Sequence, residues 1–152
     1  MEKKLDQRDA WLIHRLQDVF VGTDFQYIPA HNQFRKTNAN GFQNMIYSIT
    51  NYEDLSIADV FIGVRNEAIE RLVQPFVNNI SGFAAHSNTI VTSIRNFQST
   101  EQGRFKIYTP KDATLIIEQC TNFLNENGFE LLEQLTQMTV LNEVLNDILK
   151  KD

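Results

Sequence analysis

Side chains that could do covalent or acid–base chemistry are few and scattered along this chain. It holds one cysteine, Cys120, and three histidines, His14, His31 and His86. A thiol is nucleophilic only as a thiolate, which needs a nearby His or cation to lower its pKa. The surrounding sequence TLIIEQCTNFL offers neither, and a lone cysteine closes no internal disulfide. A buried, inert Cys120 is the expectation. His14 has Asp18 one turn later, a spacing that could orient an imidazole, yet it lies between apolar helix positions beside Arg15 and reads as a boundary side chain. His31 and His86 fall in loop sequence. Joined in space with Asp59 or Glu53 they would form a site, but nothing in their spacing joins them. There is no H-E-x-x-H spacing and no cysteine pair, so no metal site is expected. The six glycines, at 22, 41, 63, 82, 103 and 128, make no Walker loop, dinucleotide fingerprint or G-x-S-x-G elbow. No catalytic residue and no cofactor is therefore assigned, and a non-enzymatic role is favoured over an enzymatic one.

The charged residues point the same way. Glu118, Glu126, Glu130, Glu133, Glu143 and Asp147 lie mostly on polar helix sides, which is ordinary solvation. Arg35-Lys36 and Lys150-Lys151 are too few for a nucleic-acid footprint, and a net charge of -5 repels phosphate backbones. No nucleic-acid partner is expected. The N-terminus has no uninterrupted apolar segment or small-residue cleavage site, and no stretch approaches a membrane span, so the expectation is a cytoplasmic protein without membrane contact. The Asn79-Ile80-Ser81 sequon is then without consequence.

These residues must be positioned by a single domain, residues 1-152, of a size that buries most of its surface in one core. Leu12, Ile13, Leu16, Val19 and Phe20 recur at helical spacing, with Gly22 as a stop. The stretch QFRKTNANGFQNMIYSIT then reads as a hairpin turning at Asn40-Gly41 with a type I′ turn, which pairs Phe34 with Tyr47, Arg35 with Ile46 and Lys36 with Met45. LSIADVFIGVR supplies a third strand of the meander. Asn66 caps a helix with apolar positions Ile69, Leu72, Val73 and Phe76, bent or ended by Pro75. NTIVTSIRNF and GRFKIYT, around the turn-rich QSTEQG, read as a second hairpin. Thr109 and Pro110 start a helix that Gly128 should end, and one or two C-terminal helices follow with a break around Thr136 to Thr139. The predicted fold is α+β: a five-stranded antiparallel sheet in the order helix, three strands, helix, two strands, then C-terminal helices packed against it.

The strand register sorts side chains onto two faces. Phe34, Met45, Tyr47, Ile49, Val60, Ile62 and Val64 go to a helix-covered core. Arg35, Thr37, Asn44, Ile46, Ser48, Asp59 and Phe61 go to the other face, joined by Val91, Lys106 and Tyr108 from the second pair. A merely solvated face rarely aligns Ile46, Phe61, Val91 and Tyr108, so this mixed face is either a binding surface or covered by the C-terminal helix. Its candidate binding residues are Arg35, Ile46, Asp59, Phe61, Val91 and Tyr108.

The FRK strand leading into FQNMIYSI, the VFIGVR strand that enters a helix, and the ending GRFKIYTPKD…LNENGFELLEQL resemble an uncharacterised family of small bacterial domains of unknown function. Some of its members are encoded among toxin and immunity genes, which implies protein binding. The element order is also similar to the secretion-chaperone fold, whose members are small, acidic and dimeric. The resulting expectation is a protein-binding module, immunity-like or chaperone-like, that holds a protein partner or a second copy of itself. The competing expectation is a small-ligand binder or enzyme with Arg35, Asp59 and His31 or His86 around a pocket between sheet and loops.

Overall fold

The structure, a computed structural model, describes residues 7–78, 82–97 and 104–149. The sequon, the whole QSTEQG segment and Lys150-Lys151 lie outside those residues. Helix α1 (Gln7–Val19) leads into strands β1 (Gln26–Ile28), β2 (Gln33–Asn38), β3 (Gly41–Asn51) and β4 (Ser56–Asn66). Helix α2 (Glu67–Val73), β5 (Ile90–Ser93), β6 (Phe105–Ile107), α3 (Pro110–Phe123), α4 (Phe129–Leu135) and α5 (Met138–Leu149) follow. The fold is α+β, an antiparallel sheet with helices packed on it. The three-residue β1, absent from the five expected strands, adds an edge to the meander.

Two pairings differ from the expectation. The first hairpin turns at Ala39-Asn40, closed by Asn38 opposite Gly41, so Phe34 faces Met45 and Arg35 faces Asn44. Asn40 donates its backbone N–H to Asn38 Oδ1 at 2.9 Å, which holds the turn from its first corner. Gly41 is needed one step later: its φ is +150° and a Cβ there would overlap the Arg65 carbonyl. The slip is two residues, an even number, so every side chain of the hairpin stays on its predicted face. The second pair of strands is no hairpin. β5 pairs with Phe61–Val64 and β6 with Ser56–Ala58, both antiparallel to β4, end to end along one edge. An eleven-residue β4 is long enough to seat two short strands in tandem.

The predicted core face is the packed one. Phe34, Met45, Tyr47, Val60, Ile62 and Val64 meet Leu12, Ile13 and Leu16 of α1, Ile116, Ile117 and Cys120 of α3, and Leu132 of α4. Phe20 stacks on Phe34 at 4.5 Å and meets Phe129 edge-on at 6.0 Å. Val140 and Val144 of α5 pack against the same cluster, so the C-terminal helices cover the core side and not the mixed face. Thr109 and Asp112 form a capping box that starts α3. Gly128 does not end it. A π-helical turn, Leu124–Gly128, carries the chain directly into α4. Phe123 and Leu124 crowd the space a Cβ would take at Gly128, with Phe123 Cε1 at 2.9 Å, so this glycine serves close packing. The break at Thr136 appears where expected, between α4 and α5.

Candidate functional site

On the mixed face, β2, β3 and β4 place Gln33, Ile46 and Phe61 in one row and Arg35, Asn44 and Gly63 in the next. The rows continue onto β5 at Ser93 and Val91. Ile46 and Phe61 oppose each other and are half-buried, while Val91 is exposed. A third row, Thr37 and Phe42, ends in Arg65, the one cation of β4.

Arg65 organises one end of this face. Its side chain is 5% exposed, and Nη1 donates to the Ala84 and Ser87 carbonyls, both at 2.8 Å. Nε donates to Glu67 Oε1 at 2.6 Å, and Nη1 lies 3.6 Å from Glu70 Oε2. Glu70, the one buried residue of α2, accepts from Thr89 Oγ1 at 2.7 Å, Gln74 Nε2 at 2.7 Å and Ser87 Oγ at 3.2 Å. The Arg65 guanidinium also holds the Glu67 carboxyl below its ordinary range. A buried ion pair survives only when its remaining donors and acceptors are satisfied, and here segment 84–89 satisfies them. That segment is the cover over this end of the face. Asn88 reinforces it by exchanging amide hydrogen bonds with Asn44, at 2.6 and 3.2 Å.

The two histidines that fall in loop sequence meet here. The rings of His31 and His86 lie 3.9 Å apart, and Arg35 Nη2 is 3.5 Å from His86 Nδ1. Arg35 also sits 3.8 Å over the Phe42 ring and donates to Gln33 Oε1 at 2.9 Å. Desolvation, then the neighbouring His31, Arg35 and Arg65, lower the His86 pKa, so its imidazole is neutral near pH 7. Asp59 is not part of this group. It pairs with Arg95 at 3.4 Å and Arg104 at 3.3 Å. Tyr108 lies beyond β6, lining a cleft with Ile49 and Ile107 of the helix-covered side, because the strand ends at Ile107. His14 makes no pair with Asp18, which instead approaches Arg15 at 3.9 Å. Cys120 is fully buried, and desolvation pushes its thiol up to about 12, well out of nucleophilic range.

Helix α2 is turned against its own sequence pattern. It buries Glu70 and exposes Leu72 (74%) and Phe76 (88%), with Val73, Val77 and Phe83 also exposed. Asn66 starts the helix, with Oδ1 accepting from the backbone of Ala68 and Ile69, and a 3-10 turn at Gln74–Phe76 ends it at Pro75. The cap and stop were legible in sequence, whereas the facing was not. One signal pointed to it: Arg65 inside VFIGVR requires a buried acid, and Glu70 is the acid that α2 can swing toward it. Among the described residues, no three of His, Cys, Asp and Glu are grouped to hold a metal, and no helix is long and apolar enough to cross a membrane. Comparison with family models, curated proteins and solved structures finds no match to this chain.

Proposed function

We propose that the protein is a non-enzymatic protein-binding module of the cytoplasm, immunity-like or chaperone-like, whose partner docks on the outward apolar side of α2 at the margin of the mixed face. The inversion of α2 carries this reading. Exposed Leu72, Val73, Phe76 and Val77 lie within six residues of chain, and Phe83 is beside the segment that Arg65 anchors. Single exposed apolar residues are ordinary, but a cluster of this kind marks an interaction surface. The buried Arg65–Glu70 network supplies the anchoring that an apolar face normally would, which leaves the apolar side chains available to a partner. In this reading the partner also reaches Val91, Phe61 and Ile46 on the sheet, with Arg35 beside them.

A photo-crosslinking side chain installed at position 76 in the native host, with position 118 on α3 as control, tests the proposal. The reading expects a defined protein adduct at 76 that is absent at 118, and binding of the purified adduct partner that Leu72→Asp abolishes. Equal, diffuse labelling at both positions contradicts it. Sedimentation of the purified chain separates a second copy from a different partner. A second reading, a small-ligand site, is favoured by the meeting of His31, His86 and Arg35. Phosphate or carboxylate probes that shift the His86 ring resonances saturably, and fail to do so in Arg35→Gln, would support it.

A further inference from the structure

A cleft of about 350 Å³ opens on the helix-covered side, away from α2, between α1, the β3–β4 end of the sheet and the start of α3. Its walls are apolar and aromatic: Trp11, Tyr108, Ile49 and Ile107 line it, and two carboxylates, Asp9 and Asp54, join them. That volume suits a small organic group or one amino-acid side chain with its neighbour. No Lys, Arg or His is among the described residues that line it.

The electrostatics follow from what each polar group is bonded to. The start of α3, which would otherwise favour an anion, is already occupied by its own acid. Asp112 Oδ2 accepts from the Tyr108 and Thr109 backbone N–H groups at 3.0 and 2.9 Å. Asp9 accepts from Asn51 Nδ2 at 2.8 Å, a neutral donor that fixes the carboxylate in place and leaves its charge intact. Asn51 is held in turn by Ser56, whose Oγ donates to Asn51 Oδ1 at 2.5 Å. Among the described residues no cation pairs with Asp9 or Asp54. The electron-rich faces of indole and phenol rings attract cations as well.

We infer that this cleft binds an amphipathic cation, an aromatic or aliphatic group carrying an ammonium or guanidinium, with the apolar part against Trp11 and Tyr108 and the charge toward Asp9 and Asp54. This site is separate from the α2 surface, and neither depends on the other. An anionic ligand of the same shape meets two like charges, and a neutral one forgoes the pairing.

Trp11 is the chain's single tryptophan, so its emission reports the cleft directly. Phenethylammonium, 2-phenylethanol and phenylacetate, matched in size and differing in charge, are titrated into the full chain at pH 7. The expected result is saturable change with phenethylammonium tightest, by about fivefold over the alcohol, and phenylacetate weakest. Asp9→Asn and Asp54→Asn each reduce the cation's advantage, and the double variant removes it. Asp54 lies in an exposed turn, so Asp54→Asn keeps the test informative if Asp9→Asn loosens α1. The alcohol binding as tightly as the ammonium, an advantage that survives the double variant, or no saturable change with the ammonium overturns the inference.

Discussion

Helices α2 and α3 start in the same way and present opposite sides to the protein. Each has a side-chain cap, Asn66 or Thr109, and each carries apolar residues at helical spacing. α3 buries Ala113, Ile116, Ile117, Cys120 and Phe123 in the main cluster, as amphipathic logic expects. α2 buries Glu70 and turns Leu72 and Phe76 outward. The difference lies in what each helix meets. α3 faces the apolar side of the sheet, whereas α2 emerges from β4 beside Arg65, a buried cation whose need for a carboxylate outweighs the gain from covering a few apolar side chains. Uncompensated burial of a charge costs several kcal/mol, and full burial of one Leu or Phe returns about 1.5–3 kcal/mol. Where only one helix face can be buried, the acid is the face that goes in.

The sharpest way to break this comparison is to remove what each helix buries. Glu70→Ala removes the more deeply buried of the two carboxylates at Arg65 and the acceptor of the Thr89 and Ser87 hydroxyls, and should lower unfolding free energy by about 3–5 kcal/mol in urea. Ile117→Ala opens a cavity under α3 and should cost about 2–5 kcal/mol. Glu118→Ala, exposed on α3, should stay within about 0.5 kcal/mol. If Glu70 behaves like Glu118, α2 is not anchored by charge. The caps come next. Asn66→Ala and Thr109→Ala should each cost about 0.5–2 kcal/mol, since each removes one acceptor for orphan N–H groups.

Acid sharpens the comparison with a smaller effect. The lowered pKa of His86 means that the folded state binds this proton more weakly than the unfolded chain. Its contribution is therefore complete above the ordinary value of 6.5 and is lost as pH falls from there through the lowered folded value. On the helix side, Glu133 of α4 accepts from Gln43 at 3.0 Å and meets Lys36 at 3.4 Å, contacts that lower its pKa. That contribution is present above 4.5 and lost as pH falls through the lowered folded value. As pH falls, protection factors of the amides in 84–89 should thus drop at a higher pH than those in α4. Simultaneous loosening contradicts the assignment.

Much of the fold was legible because its signals are local. Asn66, Thr109, Pro75 and Pro110 act within one turn, and the alternation along β3 and β4 fixes which side chains share a face even when the turn is misplaced by two residues. Features that depend on distant partners were not legible. The tandem seating of β5 and β6 depends on the length of β4, and continuation through Gly128 depends on how Phe123 and Leu124 pack around it. The meeting of His31 with His86 follows from the Arg65 anchor on 84–89. Of the six candidate binding residues, Arg35, Ile46, Phe61 and Val91 share the mixed face near this anchor. Asp59 is engaged by Arg95 and Arg104, and Tyr108 belongs to the cleft under α1 and α3. The outward side of α2 is not legible in sequence because helical periodicity identifies an apolar stripe without saying which way it points.

The most direct test of an outward α2 is the unfolding free energy of Phe76→Ser, measured in urea on the purified chain. A side chain held in solvent has little packing to lose, so the expected change is within about 0.5 kcal/mol of the parent protein. A loss of about 3–5 kcal/mol, the penalty for truncating a core phenylalanine, would place Phe76 inside and contradict the inverted helix.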